Sequence, residues 1–297
     1  IYIMTMAPTT SFWDCGEFIA TSVILGVPHP PGAPLYLLLG NIFSSIPTFS
    51  DIGARINLIS PIASAFSVMF LYLIIVYLIE EYRGSVQSIY DAIIIYGSSF
   101  IAAITFAFTD SHWFNAVEAE VYSISTFFTT IVVWLILKWS KNHNQPGNYK
   151  YILMIAYMLG LATGIHLLNL LTLPFIALII YFKNYKLSAG GVVGTILATA
   201  LSFLIIYLGI IKGIPNLANI YNWQTPFMMI LIIIGITITS IYYRHHLSST
   251  ILSSIVLVLI GFSTYSIIFI RASQEPRINE NSPNTLEEAL SYMNRDQ

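Results

Sequence analysis

Charge is what this sequence has least of. Only 9% of its 297 residues are Asp, Glu, Lys or Arg, against 56% that are hydrophobic, where soluble domains carry roughly 25% charged residues. The length would allow two globular domains, but there are too few charges to cover their surfaces. A soluble protein is excluded. A formal net charge of −2 leaves no basic excess, so no nucleic-acid partner is expected. Cysteine is nearly missing too: Cys15 is the only one. That excludes an intrachain disulfide framework, and no Cys/His cluster has zinc spacing, so no metal site is assigned. Internal repeats and low-complexity segments are also lacking.

What is present is apolar sequence in lengths that cross a bilayer. Runs approaching the roughly 20 residues needed to span the hydrocarbon fall at Ile56–Ile79, Ala92–Thr109, Tyr122–Trp139, Tyr151–Leu167, Leu170–Phe182, Val192–Ile211, Pro226–Tyr243 and Ile251–Ile270. The fifth is short and follows a bend at His166–Asn169, as in a re-entrant or broken helix. The opening IYIMTM reads as the tail of a further, truncated first helix, which gives about nine crossings. The expected fold is all-α, a polytopic transmembrane bundle. Arg83, Lys138, Lys141, Lys150, Lys183, Lys186 and Arg244 cluster in alternate loops, which places those loops in the cytoplasm. Asp14, Glu17, Asp51, Asp110, Glu118 and Glu120 then gather on the external face. Trp134, Trp139, Tyr221 and Trp223 near span ends read as an aromatic belt.

Two short helices are expected in the first external loop. Ser11–Gly26 has Ser11 as N-cap, with Asp14 completing a capping box; its polar stripe of Asp14, Glu17 and Thr21 suits it to the interface plane. Leu35–Ile46 follows the rigid His29-Pro30-Pro31-Gly32 turn. From Arg271 onward the composition turns polar. Residues 271–297 read as a linker and the start of an external soluble domain without a packed partner, with Thr285 capping a helix that carries Leu286, Leu290 and Met293 on one face. Residues 1–270 form the membrane domain.

Acidic residues at a bilayer edge are functional-site candidates by default. Asp14 and Glu17 admit two readings: compensation of a helix dipole, or a general base that takes a proton from an acceptor hydroxyl. His29 either belongs to a connector or hydrogen-bonds a substrate phosphate. In DSHWFNAVEAEVYS, helical spacing puts Glu118 and Tyr122 on one face and Glu120 on another. His166, a lone histidine in an apolar stretch, is either satisfied by a backbone carbonyl or a ligand. Arg271 is either an interface anchor or, by its forked shape, a holder of a lipid phosphate.

In order along the chain, TTSFWDCGEFIA, HPPGAPLYLLLG, VEAEVYS, GIHLLN and IRASQEPR…NENSPN…LSYMNRDQ resemble a bacterial family of polytopic membrane proteins. That family is related to an animal enzyme that O-mannosylates receptor ectodomains. The resemblance implies a GT-C glycosyltransferase that uses a polyprenyl-phosphate sugar donor. Asp14 matches the catalytic base of the first external loop, with Glu17 as fallback, and Glu120 matches the acidic position of an EV(F/Y) motif.

The activity implied is an inverting transfer, of mannose by that resemblance, to Ser or Thr hydroxyls of exported proteins. It places the protein in the bacterial inner membrane with its site on the periplasmic side. Asp14, Glu17 and Glu120 are the catalytic candidates; His29, Glu118, Tyr122, His166 and Arg271 are the substrate-binding ones. No cofactor is expected beyond the lipid-linked sugar, a divalent metal being permitted rather than required. A transporter or lipid flippase, or a non-catalytic anchor, are the competing classes. An apolar groove opening toward Asp14 separates the enzyme from the anchor.

Overall fold

A chain in hydrocarbon must satisfy its peptide N–H and C=O groups internally, and this one does so with helices. The computed structural model describes residues 1–296. The chain runs through α1 (Tyr2–Thr5), α2 (Cys15–Ile24), α3 (Pro34–Ser45), α4 (Ile52–Arg83), α5 (Ile89–Ala107), α6 (Asp110–Ala116), α7 (Val121–Lys141), α8 (Tyr149–Thr163), α9 (Leu167–Asn184), α10 (Ala189–Tyr221), α11 (Gln224–Tyr242), α12 (His246–Ala272) and α13 (Leu286–Asn294). Among the described residues there is no strand, only an isolated bridge between Val27 and Asn279. Seven helices are long and apolar enough to cross a membrane: α4, α5, α7, α9, α10, α11 and α12. The protein is a multi-pass helical bundle.

Each apolar run of the sequence becomes a helix. The bend expected at His166–Asn169 is a 3-10 turn, Leu167–Thr172, at the start of α9. With that turn included, α9 is long enough to cross, and the shorter helix is α8. Trp139 departs from the expected aromatic belt, since it is buried in a cluster with Ile136 and Ile155.

Lipid tails are as apolar as leucine, so small residues that let backbones approach are what bind helices together in a membrane. At the crossing of α8 and α12, a Cβ on Gly160 would stand 2.6 Å from the Val258 carbonyl oxygen, and one on Gly261 would overlap the Gly160 backbone. The α4–α7 pair is pinned at both ends. Ser64 Oγ donates to Ser123 Oγ at 3.1 Å, and Lys141 Nζ pairs with Glu80 at 3.6 Å.

The largest buried cluster underlies the loops at one end of the bundle. It joins Phe18, Tyr36, Ile56, Val121 and Ile268 to Tyr292, a residue of the tail. This corrects the expectation of a tail without a packed partner. Tyr292 is fully buried and its hydroxyl donates to the Pro28 carbonyl at 2.7 Å. The bridge at Val27 adds Val27 N–H to Ile278 O at 2.9 Å and Glu280 N–H to Val27 O at 3.0 Å. Apolar side chains on α13 find their burial against the membrane domain itself. The cap at Thr285 forms as the sequence indicates, with Glu288 returning a bond to complete a capping box.

The box expected at the start of α2 does not form. The helix begins at Cys15, and Asp14 occupies the N-cap position without a side-chain capping bond. Ser11 instead donates to Glu118 Oε2 at 2.6 Å. Thr21, assigned to a polar stripe, is fully buried, so α2 packs into the protein.

Candidate active site

The loops at this end enclose a polar cavity of about 240 Å³, walled by Asp14, His29, Glu120, Tyr122, His166 and Arg295. The two carboxylates come from different loops. Asp14 sits at the N-terminus of α2, where the helix dipole favours a negative charge, and its side chain is 56% exposed. Glu120 ends the irregular segment between α6 and α7 in extended conformation and caps α7, accepting from Val121 N–H at 3.3 Å. It is buried. Burial, and then the charge on Asp14, push its carboxyl pKa up to about 7.

Glu17 is not in the cavity wall but behind it. One of its carboxylate oxygens accepts from the His29 backbone N–H at 2.6 Å, and the other lies 2.7 Å from His29 Nδ1. Nε2 is thereby turned toward Asp14 Oδ2, at 4.0 Å. The hydrogen bond to Glu17 raises the His29 pKa against the opposing effect of burial, and the charges on Glu17 and Asp14 add to the rise. Burial works against Glu17 ionisation too, but the hydrogen bonds from the His29 ring and backbone outweigh it and hold that carboxyl below its ordinary value. The result is a chain of contacts, Glu17–His29–Asp14, whose free end faces the cavity. Ligand atoms of these three residues lie within 4.8 Å of one another, a spacing open to a cation. Both Glu17 oxygens, however, are already engaged by His29.

The turn that carries His29 is held from below. Gly32 N–H donates to the His29 carbonyl at 2.9 Å. With φ at +74°, Gly32 occupies the left-handed region, and a Cβ there would come within 2.7 Å of the Tyr292 hydroxyl. Opposite, His166 caps the 3-10 turn by accepting from Leu168 N–H at 3.2 Å, and its ring lies 5.5 Å from that of Tyr122. Burial, with the charge of Arg295, lowers its pKa. Asn169 ties this loop to α7, donating to Ser125 Oγ and to the His166 carbonyl, each at 3.0 Å.

Two of the expected binding residues lie elsewhere. Glu118 is buried, bonded to Ser11, and does not reach the cavity. Arg271 is spent on the backbone: Nε donates to the Leu25 carbonyl at 2.8 Å and Nη2 to the Ile24 carbonyl at 3.0 Å, closing the C-terminus of α2. Helix-end carbonyls lack internal partners, and this guanidinium supplies them. Sequence reasoning missed Arg295 and Tyr265, which both line the cavity. Arg295 is marked in the sequence only by following a capped helix.

An apolar groove lies against the polar cavity. Pro31, His166, Leu167, Tyr265 and Arg295 line both the cavity and a space of about 410 Å³ beside it, which extends along Leu170, Phe203, Tyr207 and Ile211. Leu170, Leu171 and Phe203 in turn line a third space of about 480 Å³, between α9 and α10.

A family model described as "Protein O-mannosyl-transferase TMEM260 N-terminal domain" matches residues 14–189. The Protein O-mannosyl-transferase tmem260 of Dictyostelium discoideum is 26% identical over 185 residues, which cover 60% of this chain and 21% of that protein. The Mus musculus Protein O-mannosyl-transferase TMEM260 is 24% identical over 162 residues, 54% of this chain and 21% of that protein. The chain thus matches about a fifth of the length of these relatives. No solved structure matches it. The matched stretch begins at Asp14 and takes in His29, Glu120, Tyr122 and His166, the same residues that the fold gathers around the cavity. With the family model covering more than half of its residues, the chain belongs to the TMEM260 N-terminal domain family.

Proposed function

We propose that this protein is a GT-C glycosyltransferase that moves mannose from a polyprenyl phosphate to Ser or Thr hydroxyls of exported proteins. The site then lies on the external face, which in a bacterium is the periplasmic side of the inner membrane. One observation carries the reading: a carboxylate-lined cavity lies directly against an apolar groove, with His166 and Arg295 lining both. That shape suits a ligand with a polar head and a long hydrocarbon tail. A non-catalytic anchor has no use for such a groove beside Asp14.

In this mechanism Asp14 accepts the proton of the acceptor hydroxyl as its oxygen attacks C1 of the sugar. The bond from C1 to the phosphate oxygen breaks on the opposite face, and the electron pair leaves with the polyprenyl phosphate, so the anomeric centre inverts. His29, whose protonated form the bond to Glu17 favours, offsets the negative charge around Asp14 and the departing phosphate. Glu120, titrating near neutrality, both donates and accepts hydrogen bonds with the sugar hydroxyls. Tyr122 and His166 form the facing wall. No step calls for a metal, because a phosphate whose charge is offset leaves readily.

The test is Asp14→Asn in an assay with a lipid-linked mannose donor and a hydroxyl-bearing peptide. The variant is expected to keep its melting temperature and lose transfer. Turnover near that of the unaltered protein would refute the role of Asp14.

A further inference from the structure

Arg295 is the one arginine or lysine, among the described residues, that lines both the polar cavity and the groove beside it. Its backbone conformation is unusual for its type. It is the first residue beyond α13 and closes that helix with φ 61°, in the left-handed region, a position where glycine is the usual residue because a Cβ is disfavoured there. Such outliers concentrate at ligand sites, where the surrounding structure enforces them. Here the enforcement is visible: the Arg295 backbone N–H donates to the Tyr292 carbonyl at 3.2 Å, and the buried Tyr292 hydroxyl is fastened to Pro28. The backbone of Arg295 is thereby tethered to the His29 turn.

We propose that Arg295 grips the phosphate of the lipid-linked donor where the polar cavity adjoins the apolar groove, so that the tail segment completes the donor site. This rests on the function proposed above. A guanidinium presents a planar fork that matches phosphate oxygens in pairs. With the phosphate there, the sugar points toward Asp14 and Glu120, and the hydrocarbon runs along Leu170, Phe203 and Ile211. Arg295 lies beyond the residues that the family model matches, and it takes the role that the sequence assigned to Arg271.

The experiment uses the full-length protein in nanodiscs. It measures binding of a long-chain polyprenyl phosphate, of the same polyprenol without phosphate, and of inorganic phosphate, together with donor KM and kcat. Arg295→Ala is expected to weaken polyprenyl-phosphate binding and raise donor KM by roughly tenfold to a hundredfold, the range for losing a hydrogen bond to a charged group. Acceptor KM should stay put and Arg295→Lys should recover part of the loss. Arg295→Gly, which suits the left-handed backbone, should behave like the alanine variant at an unchanged melting temperature, and this keeps the test valid if alanine disturbs the fold. Equal binding by the unaltered protein and the glycine variant would overturn the proposal while leaving the donor reading intact. Binding of the polyprenol as tight as that of its phosphate would overturn it as well, as would inorganic phosphate competing as strongly as the lipid. An unaltered protein that binds no polyprenyl phosphate would instead sink the function it rests on.

Discussion

Glu17 holds His29 by both ends of one carboxylate, through the backbone N–H at 2.6 Å and the ring Nδ1 at 2.7 Å. The pairing crosses the end of α2 and settles a division of labour between neighbouring acids. In the proposed mechanism Glu17 is a positioning residue, and Asp14 is the carboxylate left open to the cavity.

Replacing Glu17 with Gln should therefore act through His29. The hydrogen bond that raises the His29 pKa is weakened, so the imidazolium is lost at lower pH. The alkaline limb of the pH–rate profile should move to lower pH and kcat should fall by about tenfold or more, as for loss of a positioned electrostatic contact. A profile that superimposes on that of the unaltered protein would remove this chain of contacts from the mechanism.

Glu120 gives a prediction for stability. Its folded pKa of about 7 lies above the ordinary carboxylate value of about 4.3. Between those pH values the folded state binds more protons than the unfolded one, and stability falls as pH rises. Glu120→Gln should flatten the decline in melting temperature between about pH 4.5 and 7.5, while transfer drops through loss of the carboxylate. A decline as steep in the variant as in the unaltered protein would show that Glu120 ionises normally.

Arg271→Ala should cost stability rather than donor affinity. The carbonyls of Ile24 and Leu25 lose a charged donor, worth roughly 1.5–3 kcal/mol for hydrogen bonds to a charged group. The expected outcome is a lower melting temperature with donor KM unchanged in the surviving folded protein. A raised donor KM without loss of stability would return Arg271 to the phosphate.

The spans were legible because membrane helices announce themselves by run length. The grouping of Asp14, Glu120, Tyr122 and His166 at one end followed from counting those spans and locating their basic loops. Pairing within the group was not legible. Glu118 and Glu120 were placed by helical spacing, but the chain leaves helical geometry at Val117 and re-enters it only at Val121. In that irregular stretch Glu118 turns inward to Ser11 and Glu120 turns to the cavity, where it meets Tyr122. The Glu17–His29 bond depends on how a proline-rich turn folds back over α2, which residue spacing does not encode. Arg295 was out of reach for a further reason. Its sequence context shows an ordinary amphipathic helix, and only the burial of Tyr292 reveals where that helix docks.

The His29 turn rests on a ring that α13 delivers. Tyr292 fills the space beneath Gly32 so closely that a single added methyl group would collide with it. With α13 undocked, the turn loses both that support and the hydrogen bond from the Tyr292 hydroxyl to the Pro28 carbonyl. The turn that carries His29 is therefore finished by a side chain 264 positions further along the chain, so this wall of the cavity takes shape only once contacts that distant in sequence have formed.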